Sequence, residues 1–309
     1  MKVLVTGGAG FIGSHVVEAC LTENHEVVVV DNLVRGKREN LPGDIEVYPL
    51  DIGVGGQDGL SPAAKLIMEV RPEVVIHLAA QVDVQTSLRR PDLDAMVNVV
   101  GLVNVLEGCR QAGVRKIVYA SSAAVYGEPL SLPLSEEHPI TPTSPYGLSK
   151  YIGEKYLALY SHLYGLEYTV LRCANVYGPR QDATGEGGVV AIFADRIRKG
   201  ESPVIYGDGE QTRDFVYVKD VARANVLALT RGDGAVVNIS TGIQVSVNQL
   251  LETMKKLTGT AVVPRRVAAR AGDIVASCLD NRRAQEMLGW EPRYMLEEGL
   301  AELLFGYGA

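Results

Sequence analysis

"KVLVTGGAGFIGSH", residues 2–15, decides the fold. A β-branched apolar run breaks at Gly7, and a helical pattern begins within a few residues. Gly7, Gly10 and Gly13 stand at three-residue intervals, and Gly8, Gly10 and Gly13 also satisfy G-x-G-x-x-G. Glycines so placed permit a tight turn, close approach of backbone to a pyrophosphate, and close packing of helix on strand. The first amides of the helix and its positive dipole end then face the phosphates. A plain glycine turn would match the same pattern. The context decides between them, because a strand precedes the loop, a helix follows it, and a second strand ends at Asp31. An acid there accepts hydrogen bonds from the adenosine ribose and disfavours a 2′-phosphate, so NAD is preferred over NADP. Arg35, Lys37 and Arg38 read as a solvated basic loop sooner than as a phosphate clamp. Asp51, at the end of a third strand, either reaches the adenine amine or faces solvent.

Outward from this loop, short apolar runs alternate with helical patterns. Residues 2–6, 26–31, 45–50, 73–79, 116–122 and 167–172 read as strands, and 12–23, 61–70, 92–112 and 145–164 as helices. The strands are nearly continuous apolar runs, as expected of parallel strands covered on both faces. This order predicts an α/β fold, a doubly wound parallel sheet. Beyond about residue 175 the rhythm loosens, with helices expected near 188–199, 218–230, 246–257 and 281–288. The division expected is a Rossmann domain over 1–175 and a smaller α/β substrate lobe over 176–309. Segments near 212–240 return to the first, and the cleft between the two is where substrates sit.

Composition narrows the function. The 309 residues carry a net charge of −7, which argues against nucleic acid as the main partner. Cys20, Cys109, Cys173 and Cys278 stand far apart with no CxxC, so neither a disulfide framework nor a zinc site is expected, and a reducing compartment fits. The chain starts without a signal-peptide pattern and has no stretch near the roughly 18 apolar residues of a spanning helix. A cytoplasmic protein without membrane contact is the expectation.

"SPYGLSK", residues 144–150, puts Tyr146 and Lys150 one helical turn apart, with Ser144 as N-cap and Pro145 at the first helical position. Tyrosine near its ordinary pKa of about 10 is a poor base at neutral pH. A lysine ammonium on the same face and the positive ring of NAD⁺ would both lower that pKa. Alone, Y-x-x-x-K is commonly surface decoration. Behind a dinucleotide loop and a strand ending in Ser121–Ser122, it becomes the best catalytic candidate. Ser122 either hydrogen-bonds the same substrate hydroxyl or caps the strand end.

The chain resembles the extended short-chain dehydrogenase/reductases, and within them the UDP-glucose 4-epimerases. The resemblance is carried by "TGGAGFIGSH", "DNL" (31–33), "HLAAQ" (77–81), "SSAAVYG" (121–127), "YGLSK" (146–150), "LRCANVYGPRQ" (171–181), "TRDFVYVKDV" (212–221) and "RAGD" (270–273). It implies a Ser122–Tyr146–Lys150 triad and an NAD retained through turnover. The implied cofactor residues are Gly7, Gly10, Phe11, Ile12, Gly13, Asp31, Asn32, Asp51, Ile52, Ala79, Ala80, Gln81, Asn98, Tyr146 and Lys150. A UDP-sugar is implied in the cleft, touched by Ser122, Tyr146, Asn175, Val189, Phe193, Tyr206, Arg213, Arg270, Asp273 and Ser277. Arginine forks match diphosphate oxygens, although Arg213 and Arg270 would otherwise read as surface pairs with Asp214 and Asp273. Val189, Phe193 and Tyr206 would otherwise read as core.

Related dehydratases and decarboxylases carry acids just after the catalytic serine, where this chain has Ala123 and Ala124. The simpler cycle, epimerisation through a 4-keto sugar, is therefore implied. Ser277, where relatives that exclude N-acetylated sugars have a large residue, implies room for an acetamido group. The family's usual dimer through a four-helix contact implies a homodimer, with which the apolar run 96–106 agrees. The alternatives are an NAD(P)-dependent nucleotide-sugar oxidoreductase that releases its reduced cofactor, and a non-catalytic NAD-binding scaffold. Loss of turnover with retained NAD in Tyr146→Phe separates an enzyme from a scaffold.

Overall fold

The computed structural model describes residues 1–56, 59–184, 188–269 and 274–306. The first part of the chain forms β1 (Lys2–Thr6), α1 (Phe11–Thr22), β2 (Glu26–Val30), β3 (Glu46–Tyr48), α2 (Pro62–Val70) and β4 (Val74–His77). Next come α3 (Val84–Arg89), α4 (Pro91–Ala95), α5 (Gly101–Ala112), β5 (Lys116–Ser122), α6 (Pro145–Tyr164) and β6 (Glu167–Cys173). The remainder forms β7 (Asn175–Tyr177), α7 (Val189–Arg198), β8 (Val204–Tyr206), β9 (Thr212–Arg213), β10 (Phe215–Tyr217) and α8 (Val218–Ala228). It closes with β11 (Ala235–Ile239), β12 (Val245–Ser246), α9 (Val247–Thr258), β13 (Arg265–Val267), α10 (Arg282–Leu288) and α11 (Leu296–Phe305).

Seven strands make one parallel sheet in the order β11-β6-β5-β4-β1-β2-β3. Successive residues of β1 face opposite sides, and both sides are covered. Val3 and Val5 pack into a core that includes Val16 and Val17 of α1 and Val221 of α8, while Leu4 joins Leu66, Leu102 and Val105 on the other face. That two-sided burial explains the unbroken apolar runs. Strand order reverses between β1 and β4, which is where ligands lie in open sheets of this kind. A third core, built from α7, α9, α11 and β10, supports the C-terminal part.

One expectation needs correction, and two helices were not foreseen. The helix expected over 92–112 is α4 and α5 joined by a π-helical turn over Met96–Val100, so side chains beyond it are rotated relative to those before. The short α3 and the C-terminal α11 carried no recognised signal. α3 is capped by Asp83, whose side chain accepts from the Thr86 amide at 2.6 Å. Among the described residues, no helix is long and apolar enough to cross a membrane.

Candidate active site

The glycine turn sits at the strand-order reversal. Gly7 has φ +71°, and a Cβ there would lie 2.7 Å from the Ala79 amide nitrogen, so the exits of β1 and β4 touch. A Cβ on Gly13 would lie 2.0 Å from the Gly7 carbonyl oxygen, which fixes α1 against its own turn. Gly10 is the N-cap, with no side chain capping the amides of Phe11, Ile12 and Gly13. An uncapped helix start with glycine before it suits a phosphate. Buried Asp31 accepts from the Ala9 amide through Oδ2 (3.0 Å) and from the Leu33 amide through Oδ1 (2.9 Å), and each oxygen keeps a further acceptor site. Asn32 Nδ2 donates to Asp51 Oδ2 (3.1 Å), whose Oδ1 accepts from the Gly53 amide (2.8 Å), and buried Ile52 lies beneath Gly101. These residues fit a dinucleotide. Arg35 and Lys37 are exposed, as a solvated basic loop requires, and Arg38 is half-buried. Its guanidinium donates to the carbonyls of Leu41, Pro42, Gly43 and Ile45 and braces its own loop.

Ser144 and Pro145 start α6 as its sequence predicts, with Ser144 Oγ accepting from the Gly147 amide at 3.1 Å. The helix carries half-buried Tyr146 and buried Lys150 to the end of β5. Ser122 caps the strand end as foreseen, its Oγ accepting from the Ala124 amide at 3.2 Å, and its side chain lies beside the Tyr146 hydroxyl. Lys150 Nζ donates to the Ala120 carbonyl at 2.8 Å and lies 5.0 Å from the ring centre of Tyr119 and 6.0 Å from that of Tyr146.

The electrostatics differ from expectation. Burial pushes the Tyr146 hydroxyl up to about 12, with Ser122 pulling the other way. Burial also pushes Lys150 down to about 8, opposed by Cys173, Asp94 and Glu154. In the protein alone, desolvation governs both groups, and the Lys150 ammonium is turned toward a backbone carbonyl.

The π-helical turn aims Asn98 inward. Its Oδ1 accepts from the Gln81 amide (2.8 Å), and its Nδ2 contacts Gln81 O (2.9 Å), Asp94 Oδ1 (3.0 Å) and Ser149 Oγ (3.2 Å). Gln81 Nε2 also donates to Asp94 Oδ1, and the Ala79 amide donates to Thr6 Oγ1. The loop Ala79–Ala80–Gln81 is thereby fastened to α6 beside Lys150. Asp94, Ser149 and Cys173 were missed by sequence reasoning. The available signal was polar Asp94 and Asn98 one turn apart in an apolar run, and Cys173 lies opposite Ser122 in the β5–β6 register.

On the other rim, exposed Asn175 opens β7, and its amide donates to the Asp214 carbonyl at 2.9 Å. Arg213 Nη1 donates to the Thr212 carbonyl at 2.8 Å, and the Ser277 amide donates to the same oxygen at 3.2 Å. Asn175, Arg213 and Ser277 are thus brought together. The Asp214 carboxylate turns inward instead of forming a surface pair, accepting from Thr241, Gly242 and Leu279. Val189 and Tyr206 are half-buried. Phe193, expected as a pocket wall, is fully buried among Tyr177, Leu250 and Leu300, because its turn of α7 faces the third core. Arg270 and Asp273 lie outside the described residues.

Residues 3–240 match the model of the NAD dependent epimerase/dehydratase family. A putative UDP-glucose 4-epimerase of Methanocaldococcus jannaschii is 47% identical over 303 residues, covering 98% of this chain and 97% of its own. The structure of the Thermotoga maritima UDP-glucose 4-epimerase with UDP-glucose superposes with a TM-score of 0.94 at 46% identity, covering 99% and 98%. A UDP-N-acetylglucosamine 4-epimerase from Methanobrevibacter ruminantium M1, in complex with UDP-N-acetylmuramic acid, gives 0.93 at 35% identity, covering 99% and 97%.

Proposed function

The chain belongs to the NAD dependent epimerase/dehydratase family and is a nucleotide-sugar epimerase with NAD as cofactor; from that premise we propose that it interconverts UDP-galactose and UDP-glucose through a 4-keto sugar. The observation that carries this reading is Tyr146 and buried Lys150, one turn apart on α6, set at the Ser122 end of β5 with Ala123 and Ala124 following the serine.

NAD, when bound, would supply the hydride acceptor and donor for oxidation and re-reduction at the sugar carbon, and its positive oxidised ring with Lys150 would favour the tyrosine phenolate. Gly7, Gly10, Phe11, Ile12 and Gly13 would hold its pyrophosphate, Asp31 and Asn32 its adenosine ribose, and Asp51 and Ile52 the adenine. Ala79, Ala80, Gln81, Asn98, Tyr146 and Lys150 would hold the nicotinamide half. Tyr146 takes the proton of the sugar 4-hydroxyl while Ser122 fixes the same oxygen. The 4-keto sugar turns in the cleft, is reduced on its other face, and recovers its proton from Tyr146. With no carboxylate at 123 or 124, no further proton transfer diverts the ketone toward dehydration.

The diphosphate is held by Arg213 and Arg270 with Asn175, and the uracil and sugar lie near Val189, Tyr206 and Asp273. Ser277 leaves room for an acetamido group, so UDP-N-acetylgalactosamine and UDP-N-acetylglucosamine are substrates too. Residues 1–175, joined by the returning segment near 212–240, form the cofactor part, and the rest of 176–309 forms the sugar-nucleotide part. Four free, buried cysteines favour a cytoplasmic setting. An exposed apolar face on α4–α6 favours a homodimer.

The test is incubation of purified protein with UDP-galactose and, separately, UDP-N-acetylgalactosamine, first without and then with added NAD, followed by chromatography. Formation of the 4-epimers without net NADH is expected. No conversion of either with NAD present would overturn the reading, and turnover of the first alone would remove the role of Ser277.

A further inference from the structure

Behind the reacting groups lies a buried ion pair that the epimerisation cycle does not use. Glu154 stands one turn past Lys150 on α6, and Arg172 directly precedes Cys173 on β6. Their side chains are 4% and 5% exposed and meet as a fork, Arg172 Nε 3.0 Å from Glu154 Oε1 and Nη2 2.7 Å from Oε2. Ser121, which lies opposite Arg172 in the β5–β6 register and directly precedes Ser122, donates its hydroxyl to the same Oε1 at 2.6 Å. Arg172 Nη1 donates to the Tyr126 hydroxyl at 3.0 Å, and that hydroxyl donates to Asn238 Oδ1 on β11 at 2.6 Å.

A pair so buried is a weak source of stability, since desolvation offsets attraction and apolar groups of similar volume often replace it without loss. What a two-pronged charged fork does supply is direction. The fork and Ser121 join the three segments that carry the site: the end of β5 with Ser122, the turns of α6 with Tyr146 and Lys150, and the end of β6 with Cys173. The contact of α6 with β5 at Gly153 sets how close the helix lies, and the Lys150–Ala120 and Tyr119–Lys150 hydrogen bonds hold the turn before the fork. We propose that Glu154, Arg172 and Ser121 are positioning residues that fix the axial register of α6 on β5 and so bring the Tyr146 hydroxyl to Ser122. The inference rests on the epimerase reading, because the effect is read in that reaction.

The test is the full-length Glu154→Leu/Arg172→Met double variant, compared with wild type for thermal midpoint, bound NAD, KM and kcat toward UDP-galactose, and the pH dependence of kcat. The expected variant folds, retains NAD and keeps its KM. Its kcat falls by on the order of 100-fold, the cost of a misplacement of about 1 Å. Its rate also requires higher pH, because Tyr146 moves away from the Ser122 hydroxyl that favours its ionised form, and a purely structural role would leave that profile in place. A folded variant with wild-type kcat and pH profile overturns the proposal. If the double variant does not fold, Ser121→Ala decides. A lowered kcat with the same shift to higher pH supports the proposal, and an unchanged kcat overturns it. A wild type inert toward every sugar nucleotide overturns both this and the epimerase reading, whereas an active wild type with an unaffected variant overturns this alone.

Discussion

Tyr146 and His77 are both held in their neutral forms by burial, with different consequences. For Tyr146 the consequence is catalytic. Phe at this position keeps the ring and removes the base, so kcat is expected to fall by about 10²–10⁴-fold while bound NAD is unchanged in titration calorimetry. Ser122→Ala removes the hydroxyl that favours the Tyr146 phenolate and is expected to cost roughly tenfold in kcat. For His77 the consequence is stability. Its ring pairs with Thr6 Oγ1 at 2.9 Å, stacks on Tyr119, and is pushed down to about 3 by burial and the nearby Lys150 charge. As pH falls below 6.5 the unfolded chain binds a proton there that the folded chain refuses, so stability is lost down to about pH 3. The slope from this group is ~1.4 kcal/mol per pH unit. Between pH 7 and 5, urea unfolding of wild type should lose about 2 kcal/mol more than that of His77→Asn. Equal losses would place the histidine outside the acid response. At this scale the sequence was readable where chemistry is local, as with Tyr146 and Lys150 on one turn. Asp94 and Cys173 reach Lys150 only through the tertiary fold, and the one-turn spacing of Asp94 and Asn98 marks a polar pair without saying what it meets.

The helices show the same contrast between local and distant causes. α6 begins and ends where its sequence says because Ser144, Pro145 and left-handed Gly165 act within their own turns. The π-helical turn before α5 has no such local mark, and it follows from the demand that Asn98 meet Gln81, Asp94 and Ser149 together. Gly153 is a distant demand of another kind. A Cβ there would stand 2.4 Å from the Tyr119 hydroxyl and 2.8 Å from its Cζ, and that ring is buried beneath Lys150. Gly153→Ala should therefore lift α6 off β5, destabilise the fold by about 1–3 kcal/mol, and lower kcat because Tyr146 and Lys150 ride on the helix. Denaturant unfolding alongside turnover checks this. Alanine is ordinarily the better helix former, so a stabilised variant would show that Tyr119 yields freely.

For the whole molecule, pairing across long separations sets what the sequence left soft. β11 joins the large sheet through β6, from Ala235 opposite Thr169 to Ile239 opposite Cys173, and α8 packs beside α1, so the chain leaves the sheet and returns to it. The sequence suggests a return near 212–240 without saying where, since any apolar run there could take the sheet edge. The outer face poses the question of assembly. Met96, Val100, Leu148, Leu159 and Leu163 are each 41–54% exposed, and the last three recur with Ile152 along one stripe of α6. A groove of about 490 Å³ between that stripe and α4, lined by Ala95, Val99, Leu148 and Ile152, continues the apolar surface. A stable interface covers about 800 Å² on each partner, and two antiparallel helices with their side chains can supply an area of that order. If a second copy covers this stripe, a carboxylate at its centre is desolvated without a partner and the pair separates. Leu159→Asp combined with Leu163→Asp should then sediment with the mass of one chain where wild type sediments with twice that mass. Because both leucines lie outside the cores, each substitution should alter the stability of the single chain by no more than about 0.5 kcal/mol. Wild type sedimenting as single chains at micromolar concentration would overturn the dimer and leave the stripe to another partner.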